Sequence, residues 1–219
     1  MERKPFQARF NALKAEANNW TPAWKDLQRF IRPTRGFFSD LPNKGTTIDH
    51  KTVLDSSPGR AARILAAGMT SGLTSPSRPW FNLGFTDQNL MQIASAKEWL
   101  DDVENRMMAA FSKSNIYGIL HSSYEEIGVF GTSAAIILED FNDIIRGRNF
   151  TIGEYYLGAS SNGKVNALAR EYWLTVGQCV EEFGIDNCSQ TIQDAYKNNR
   201  PDQWIAISML IEANDDRIE

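Results

Sequence analysis

The chain has 219 residues, of which 42% are hydrophobic and 23% charged, and its formal net charge at pH 7 is -4. This composition excludes disordered and fibrous proteins and is sufficient for one large or two small folded domains. No segment near Met1 resembles a signal peptide, and no run approaches the roughly 18 to 20 apolar residues of a membrane-spanning helix, so we expect synthesis in the cytoplasm and no membrane partner.

The charge is divided unevenly along the chain. Residues 1–63 contain 12 Lys and Arg against 6 Asp and Glu, whereas residues 64–219 contain 11 against 21. A basic segment is typical of contact with nucleic acid or with an acidic neighbouring subunit, although a solvated helical surface has the same composition. Because the whole chain is acidic, its composition does not predict tight DNA binding.

Apolar residues at spacings of three and four predict two helices that form a hairpin at the start of the chain. The first covers residues 5–17. Its apolar face consists of Phe6, Phe10, Leu13 and Ala17. The second begins at the N-cap residue Thr21, is followed at once by Pro22, and ends before Pro33.

Glycine, proline and polar turn formers predict a long irregular loop over residues 34–55. A third helix follows over residues 60–73, with Ser56 or Ser57 as its cap and Pro58 in its first turn. Small residues on this helix predict close packing against another helix. They are Ala62, Ala66, Ala67 and Gly68.

Alternating side chains over residues 80–85 predict a short half-buried strand after two prolines. The longest helical pattern covers residues 87–113, and another helix follows over residues 116–129. On the helix over residues 116–129 we expect Leu120, Tyr124 and Ile127 to face inward. Glycines at 128 and 131 end it.

Four strands are predicted in the second half of the chain, at residues 132–138, 150–157, 165–174 and 204–211. Asn162-Gly163 predicts a hairpin between the second and third of them. Short helices are predicted at 176–183 and 189–196. The fold class is therefore α+β, with N-terminal helical segments followed by a small, mostly antiparallel sheet and flanking helices.

We expect residues 1–140 to form a mainly helical region and residues 141–219 a β-hairpin-rich region with short helices. The last predicted strand lies close to Glu219 and would leave an exposed apolar edge, which natural domains avoid. We therefore expect the chain to be truncated at its C-terminus.

Motifs for catalysis are weak. Residues 158–164 match a phosphate-binding loop up to Val165, where a Ser or Thr is required, and they lead into a predicted strand, which favours a plain hairpin. His121 precedes Ser122 and Ser123, but adjacent residues on a helix do not face one another. No enzyme activity, cofactor or metal is predicted.

Other polar and sulfur groups have ordinary structural interpretations. The acidic pairs at 101–102 and 125–126 are typical of solvated helix surfaces. Cys179 and Cys188 are too few for a disulfide framework and do not have the spacing of a zinc site, so we expect both to be reduced core thiols.

Residues 24–51 suggest a second function, a small nucleic-acid-binding module in which aromatic side chains stack on bases. The basic residues of this segment are Lys25, Arg29, Arg32, Arg35, Lys44 and Lys51. Packing within the fold is the other interpretation, and it explains Trp24 and Phe30 better.

Three segments resemble the head-to-tail connecting (portal) proteins of short-tailed bacteriophages. Residues 24–36 contain a tryptophan helix that runs into Pro-Thr-Arg-Gly, residues 53–81 include Ala-Gly-Met-Thr-Ser-Gly-Leu-Thr-Ser-Pro-Ser-Arg-Pro-Trp-Phe, and residues 124–134 read Tyr-Glu-Glu-Ile-Gly-Val-Phe-Gly-Thr-Ser-Ala. The resemblance implies that the chain is the N-terminal part of a portal subunit, in the outer, wing-like region. Members of this family are considerably longer.

The resemblance also implies a structural role in the virion rather than catalysis. Portal subunits form a dodecameric ring at one capsid vertex, which nucleates head assembly with capsid and scaffold, docks terminase and tail adaptors, and passes double-stranded DNA without sequence specificity. A ring of this kind needs two different complementary patches on each subunit. We expect Arg29, Arg32 and Arg35 to lie at a subunit interface or near DNA.

Overall fold

The computed structural model describes residues 3–36, 53–87 and 89–212, with side chains from residue 6 onward. The helices in these residues are α1 (Arg3–Ala17), α2 (Thr21–Phe30), α3 (Ser57–Leu73), α4 (Ala94–Lys113), α5 (Ile116–Phe130), α6 (Val176–Phe183) and α7 (Gln190–Lys197). The strands are β1 (Ala134–Asp140), β2 (Ile144–Phe150), β3 (Tyr155–Ala159), β4 (Val165–Thr175) and β5 (Trp204–Glu212). No described helix has the length and apolar character needed to cross a membrane.

The strands form two antiparallel sheets. β1 and β2 make a hairpin in which Ala134 lies opposite Phe150, and β3, β4 and β5 make a three-stranded sheet with β4 in the centre. The α+β class and the antiparallel pairing are confirmed. The single small sheet that we expected is instead two sheets, because the second hairpin begins only after a break at Gly153, whose φ is +91°.

Contacts divide the chain into two compact units. The first unit consists of the described parts of residues 1–28, 33–50 and 153–219, and the second consists of those of residues 29–32 and 51–152. Each unit thus combines segments that are distant in sequence, and the cuts fall at places other than the expected boundary after residue 140.

The first unit has its main core between α1 and the three-stranded sheet. Phe10 and Leu13 are buried against Ala167 and Ala169 on β4, as the predicted stripe of α1 requires. Burial of each large side chain contributes about 1.5 to 3 kcal/mol. The approach is close, because a Cβ built on Gly158 would lie 2.7 Å from Leu13 Cδ2.

A second cluster in this unit lies between α6 and α7. Val176, Cys179 and Ile192 are its buried members. α6 begins with a reciprocal cap, in which Thr175 Oγ1 accepts from Gln178 N at 3.3 Å and Gln178 Oε1 accepts from Thr175 N at 2.9 Å. Both cysteines are free; Cys179 is buried as predicted, and Cys188 is half-buried.

The second unit is built around the pair α3 and α5. Ala62 and Ala66 are buried as predicted, whereas Ala67 and Gly68 are exposed. The helices approach closely enough that a Cβ on Gly128 would lie 2.8 Å from Leu65 Cδ2. This close approach confirms the prediction from the small residues.

The predicted strand at residues 80–85 is wrong, since these residues are extended but belong to no sheet. Side chains rather than a neighbouring strand accept their backbone hydrogen bonds: Leu83 N donates to Glu104 Oε2 at 3.2 Å and Phe85 N to Met91 Sδ at 3.4 Å. The helix predicted from residue 87 is a 3-10 turn (Leu90–Gln92) followed by α4, separated by an extended Ile93.

The strand expected over residues 150–157 is divided at Gly153, and β2 was not predicted at all. A turn over residues 140–143 connects β1 to β2, and Asp140 Oδ1 accepts from the backbone N–H groups of Asn142 and Asp143 at 2.8 and 2.9 Å. β2 is fixed to the start of α5, since the Asn115 amide both donates to and accepts from the backbone of Gly147.

The other predicted elements are confirmed within a few residues. Within the expected loop, residues 34–36 and 53–55 are irregular, while residues 37–52 lie outside the described part of the chain. α5 ends with Gly131 in the left-handed conformation at φ +78°, a conformation that glycine adopts without strain.

Candidate functional site

The three candidate arginines lie where α2 ends and in the turn after it. Pro33 prevents the helix from continuing, and Gly36 turns the chain at φ +90°. The turn is closed by Gln28, whose Nε2 donates to Gly36 O at 2.9 Å. The chain there thus has a defined conformation from residue 28 to residue 36.

Arg32 forms a largely buried ion pair with Glu125 of α5. Its Nη2 lies 2.5 Å from Glu125 Oε2, and the two side chains are 19% and 8% exposed. A charged pair this far from solvent is held by its direct contact and is poorly screened by salt. Arg32 therefore fixes the end of α2 to α5 and has little surface to offer another molecule.

The neighbouring Glu126 is also buried, with 2% of its surface exposed, and its Oε1 accepts from Thr151 Oγ1 at 3.0 Å. The prediction that Glu125 and Glu126 form a solvated surface is wrong. Asp101 and Asp102 do lie on an exposed face of α4 as predicted.

Two further side chains of α5 bind α3. Tyr124 Oη donates to Thr74 Oγ1 at 3.1 Å, and His121 Nδ1 lies 3.0 Å from Thr70 Oγ1. Since the Thr70 hydroxyl already donates to Ala66 O at 2.8 Å, the histidine nitrogen is the donor in this pair. We refer to His121, Ser123, Tyr124, Glu125 and Glu126 as the α5 polar face.

The α5 polar face brings together all three segments that carry the family resemblance. Arg32 comes from the first, Thr74 from the second, and Tyr124 and Glu125 from the third. Their side chains are paired with one another and largely buried, so the shared motifs hold the segment of Arg32, α3 and α5 in one arrangement. This arrangement positions the helices, because the charged groups of Arg32 and Glu125 are paired with each other and largely buried.

The serines beside His121 are engaged elsewhere. Ser122 Oγ donates to Gly118 O at 3.0 Å, and Ser123 Oγ accepts from Asn149 Nδ2 at 3.2 Å. The histidine itself bonds a threonine of another helix, so it is not positioned as the base of a neighbouring serine. Within the described ranges no group of three His, Cys, Asp or Glu side chains could hold a metal ion.

The phosphate-loop-like residues 158–164 form the hairpin between β3 and β4, as predicted. Ser160 N donates to Lys164 O at 2.8 Å, Gly163 N donates to Ser160 O at 2.9 Å, and the left-handed Gly163 completes the turn. The next element is β4, so no helix N-terminus is available at this loop to bind phosphate.

Arg29 and Arg35 differ from Arg32 in environment. Arg29 is exposed, with its guanidinium carbon 5.5 Å from the centre of the Phe30 ring, and Arg35 is half-buried in the turn. Trp24 and Phe30 were both expected to pack within the fold; Trp24 is half-buried, whereas Phe30 is 44% exposed. The rest of the basic aromatic segment from residue 37 onward lies outside the described residues, so the nucleic-acid interpretation stays a prediction.

The sequence contained a signal for the buried carboxylates. Ile116, Ile119 and Phe130 are the buried apolar residues of α5, and the stripe that joins them at spacings of three and four also contains Ser123 and Glu126. We expected the adjacent stripe of Leu120, Tyr124 and Ile127 to face inward, but Ile127 is 44% exposed. An acidic residue on an otherwise buried stripe indicates a partner from a distant segment.

Comparison with known proteins gives consistent matches over nearly the whole chain. The family described as bacteriophage head to tail connecting protein matches residues 3–219. The chain is 42% identical over 217 residues to a probable portal protein of Bordetella phage BPP-1, covering 99% of this chain and 39% of that protein. It is 39% identical over 207 residues to a portal protein of Salmonella phage epsilon15, covering 94% of this chain and 37% of that protein.

Proposed function

Because the chain belongs to the bacteriophage head to tail connecting protein family, we propose that it is part of a portal subunit, a structural component of the virion that assembles into a ring. The resemblance of residues 24–36, 53–81 and 124–134 to this family is confirmed. The observation that carries the proposal is the match over residues 3–219 together with the identities of 42% and 39% to proteins named as portal proteins.

The chain spans less than two fifths of the length of these relatives. We assign to it the outer region of the subunit, where a rigid scaffold is required. The α5 polar face supports this assignment, since largely buried and mutually paired polar groups fix one arrangement of helices.

In the assembled particle the ring is dodecameric, lies at one capsid vertex together with capsid and scaffold proteins, and binds terminase and tail adaptors at different stages. Double-stranded DNA passes through it in both packaging and ejection. An acidic chain suits this role, because a channel that neutralised many phosphates would bind DNA instead of letting it slide.

The exposed Arg29 and the half-buried Arg35 remain proposed contacts to a neighbouring subunit or to DNA. Arg32 is a poorer candidate, since its charge is already balanced by Glu125 inside the unit. Reversing the charges of all three arginines together would be a poor test of an interface, because the change at Arg32 would place two negative charges together in a buried site.

The test is the mass of the full-length protein, including any sequence beyond Glu219, by light scattering over a concentration series, with negative-stain electron microscopy of the main species. A closed ring of uniform stoichiometry is the expected result. A protein that remained monomeric at every concentration would overturn the proposal. Salt-dependent binding of short DNA by that monomer would favour the nucleic-acid-binding module instead.

A further inference from the structure

Two described helices carry exposed charges of one sign only. α3 contains Arg60 and Arg63 and no acidic residue, whereas α6 contains Glu181 and Glu182 and no basic residue. All four side chains are exposed. The described helices α1, α2, α4 and α7 mix both signs, and the two carboxylates of α5 are buried.

These charges also oppose the dipoles of their own helices. Arg60 lies in the first turn of α3, where a negative charge is favourable, and Glu181 and Glu182 lie in the last turn of α6, where a positive charge is favourable. Arg60 and Arg63, which are three residues apart on α3, repel one another as well. Each helix is therefore less stable as an isolated surface element than it would be with these residues neutral.

No partner in the described part of the chain offsets this cost. Some other surface charges are paired, as in Arg9 with Glu212 and Arg106 with Asp102 at 3.6 and 2.8 Å. Among the described residues neither the arginines of α3 nor the glutamates of α6 take part in an ion pair or hydrogen bond of their side chains. Their charges are available to a second molecule.

An apolar side chain stands beside each pair of charges. Ile64 is 64% exposed next to the arginines, and Phe183 is 41% exposed next to the glutamates. We call Arg60, Arg63 and Ile64 the basic patch, and Glu181, Glu182 and Phe183 the acidic patch. An apolar centre with charges around it is the usual composition of a protein-protein contact.

We propose that the basic patch of one subunit binds the acidic patch of the next subunit in the ring. The occupant of each patch is thus a second copy of this chain, and the two patches match in sign, in number of charges and in having one apolar residue. A head-to-tail contact between two different patches is the kind of interface that closes into a ring. This inference rests on the proposed function and names one of its subunit contacts.

The test is a charge exchange in the full-length protein. One variant carries Arg60→Glu and Arg63→Glu, another carries Glu181→Lys and Glu182→Lys, and a third carries all four changes. Each double variant is expected to raise the concentration at which half of the protein is in rings by about tenfold or more at low salt, and the fourfold variant to restore it. Lys97→Glu with Arg106→Glu on α4 is the control for the arginine variant, with which it shares the change in net charge.

Mixing separates a contact between subunits from one within a chain. Neither double variant pairs well with itself, but an equimolar mixture places reversed patches against reversed patches and native against native. We expect the mixture to form rings in which the two variants alternate. Circular dichroism of each variant establishes that it is folded, and Arg60→Gln with Arg63→Gln provides a milder version if the reversal prevents folding.

The outcomes are distinct. Double variants that assemble like the wild-type protein overturn the inference and leave the proposed function intact. Recovery in the fourfold variant without recovery in the mixture shows that the patches meet within one chain, which also overturns it. Wild-type protein that forms no ring removes the proposed function and the inference together.

Discussion

Replacing Arg32 with alanine tests the structural interpretation of the α5 polar face. The change leaves Glu125, whose side chain is 8% exposed, as a buried carboxylate without its cation. Breaking a buried pair by removal of one partner costs about 3 to 5 kcal/mol, and we take the value of about 3 kcal/mol because part of Arg32 reaches solvent. In a chain of this size each 1 kcal/mol lowers Tm by roughly 2 to 4 °C, so we expect a decrease of about 6 to 12 °C.

The assay is calorimetry with circular dichroism, and Arg106→Ala is the matched control. Arg106 pairs with Asp102 at 2.8 Å on an exposed face of α4, where the side chains are 78% and 56% exposed and a pair contributes about 0.3 to 0.5 kcal/mol. Replacing both buried partners, as Arg32→Met with Glu125→Leu, removes the charges together and should recover most of the loss. If Arg32→Ala costs no more than Arg106→Ala, the pair does not fix α2 to α5 and the reasoning is wrong.

Three further predictions concern other parts of the fold. Gly147→Ala should lower the free energy of unfolding by about 1 to 3 kcal/mol, because the new Cβ would lie 2.3 Å from Ile119 Cδ1. Gly68→Ala places its Cβ in open space and should raise the free energy of unfolding by about 0.4 to 1 kcal/mol, so equal effects of the two changes in urea unfolding would contradict the prediction. Hydrogen bonds from the backbone N–H groups of Asp143 and Asn142 lower the pKa of Asp140 below its usual 3.8. The turn is therefore ordered above pH 3.8 and loses its order as the pH falls through the lower pKa of the folded state. An NMR titration of the two amides measures this midpoint, and a midpoint at or above 3.8 would contradict the prediction. Burial, with smaller effects of Cys188 and Glu182, raises the pKa of the Cys179 thiol, so a thiol reagent should modify Cys188 first, and Cys188→Ser should abolish the fast phase.

The helices were predictable where one apolar stripe dominates. Phe10 and Leu13 point to a buried face of α1 because no competing stripe exists on that helix. α5 offers two adjacent stripes, and only the structure shows that the one containing Glu126 is buried. The family could be identified from three short segments, because their residue patterns are specific even when the reason for each residue is unknown.

Two of the failures have the same cause, which is a partner from a distant part of the chain. Residues 80–85 alternate like a strand, yet Glu104 of α4 binds the backbone N–H of Leu83. Glu125 is of a residue type that usually lies on the surface, yet it is buried because it pairs with Arg32, which lies 93 positions earlier in the sequence. Periodicity describes neighbours within one element and does not identify which distant residue completes such a pair.

The interleaved order of the two compact units has a consequence for synthesis on the ribosome. α1 leaves the ribosome before the other described elements, but Lys14 of α1 bonds Glu171 of β4 at a separation of 157 residues, and the whole of residues 51–152 is made in between. The apolar stripe of α1 therefore remains exposed to solvent while the second unit, whose segments lie closer in sequence, folds first. We expect α1 to be cleaved readily by protease in a chain stalled at residue 152 and to become resistant once β5 has emerged. Resistance at the earlier stage would mean that the nascent helix is protected by something other than its own sheet.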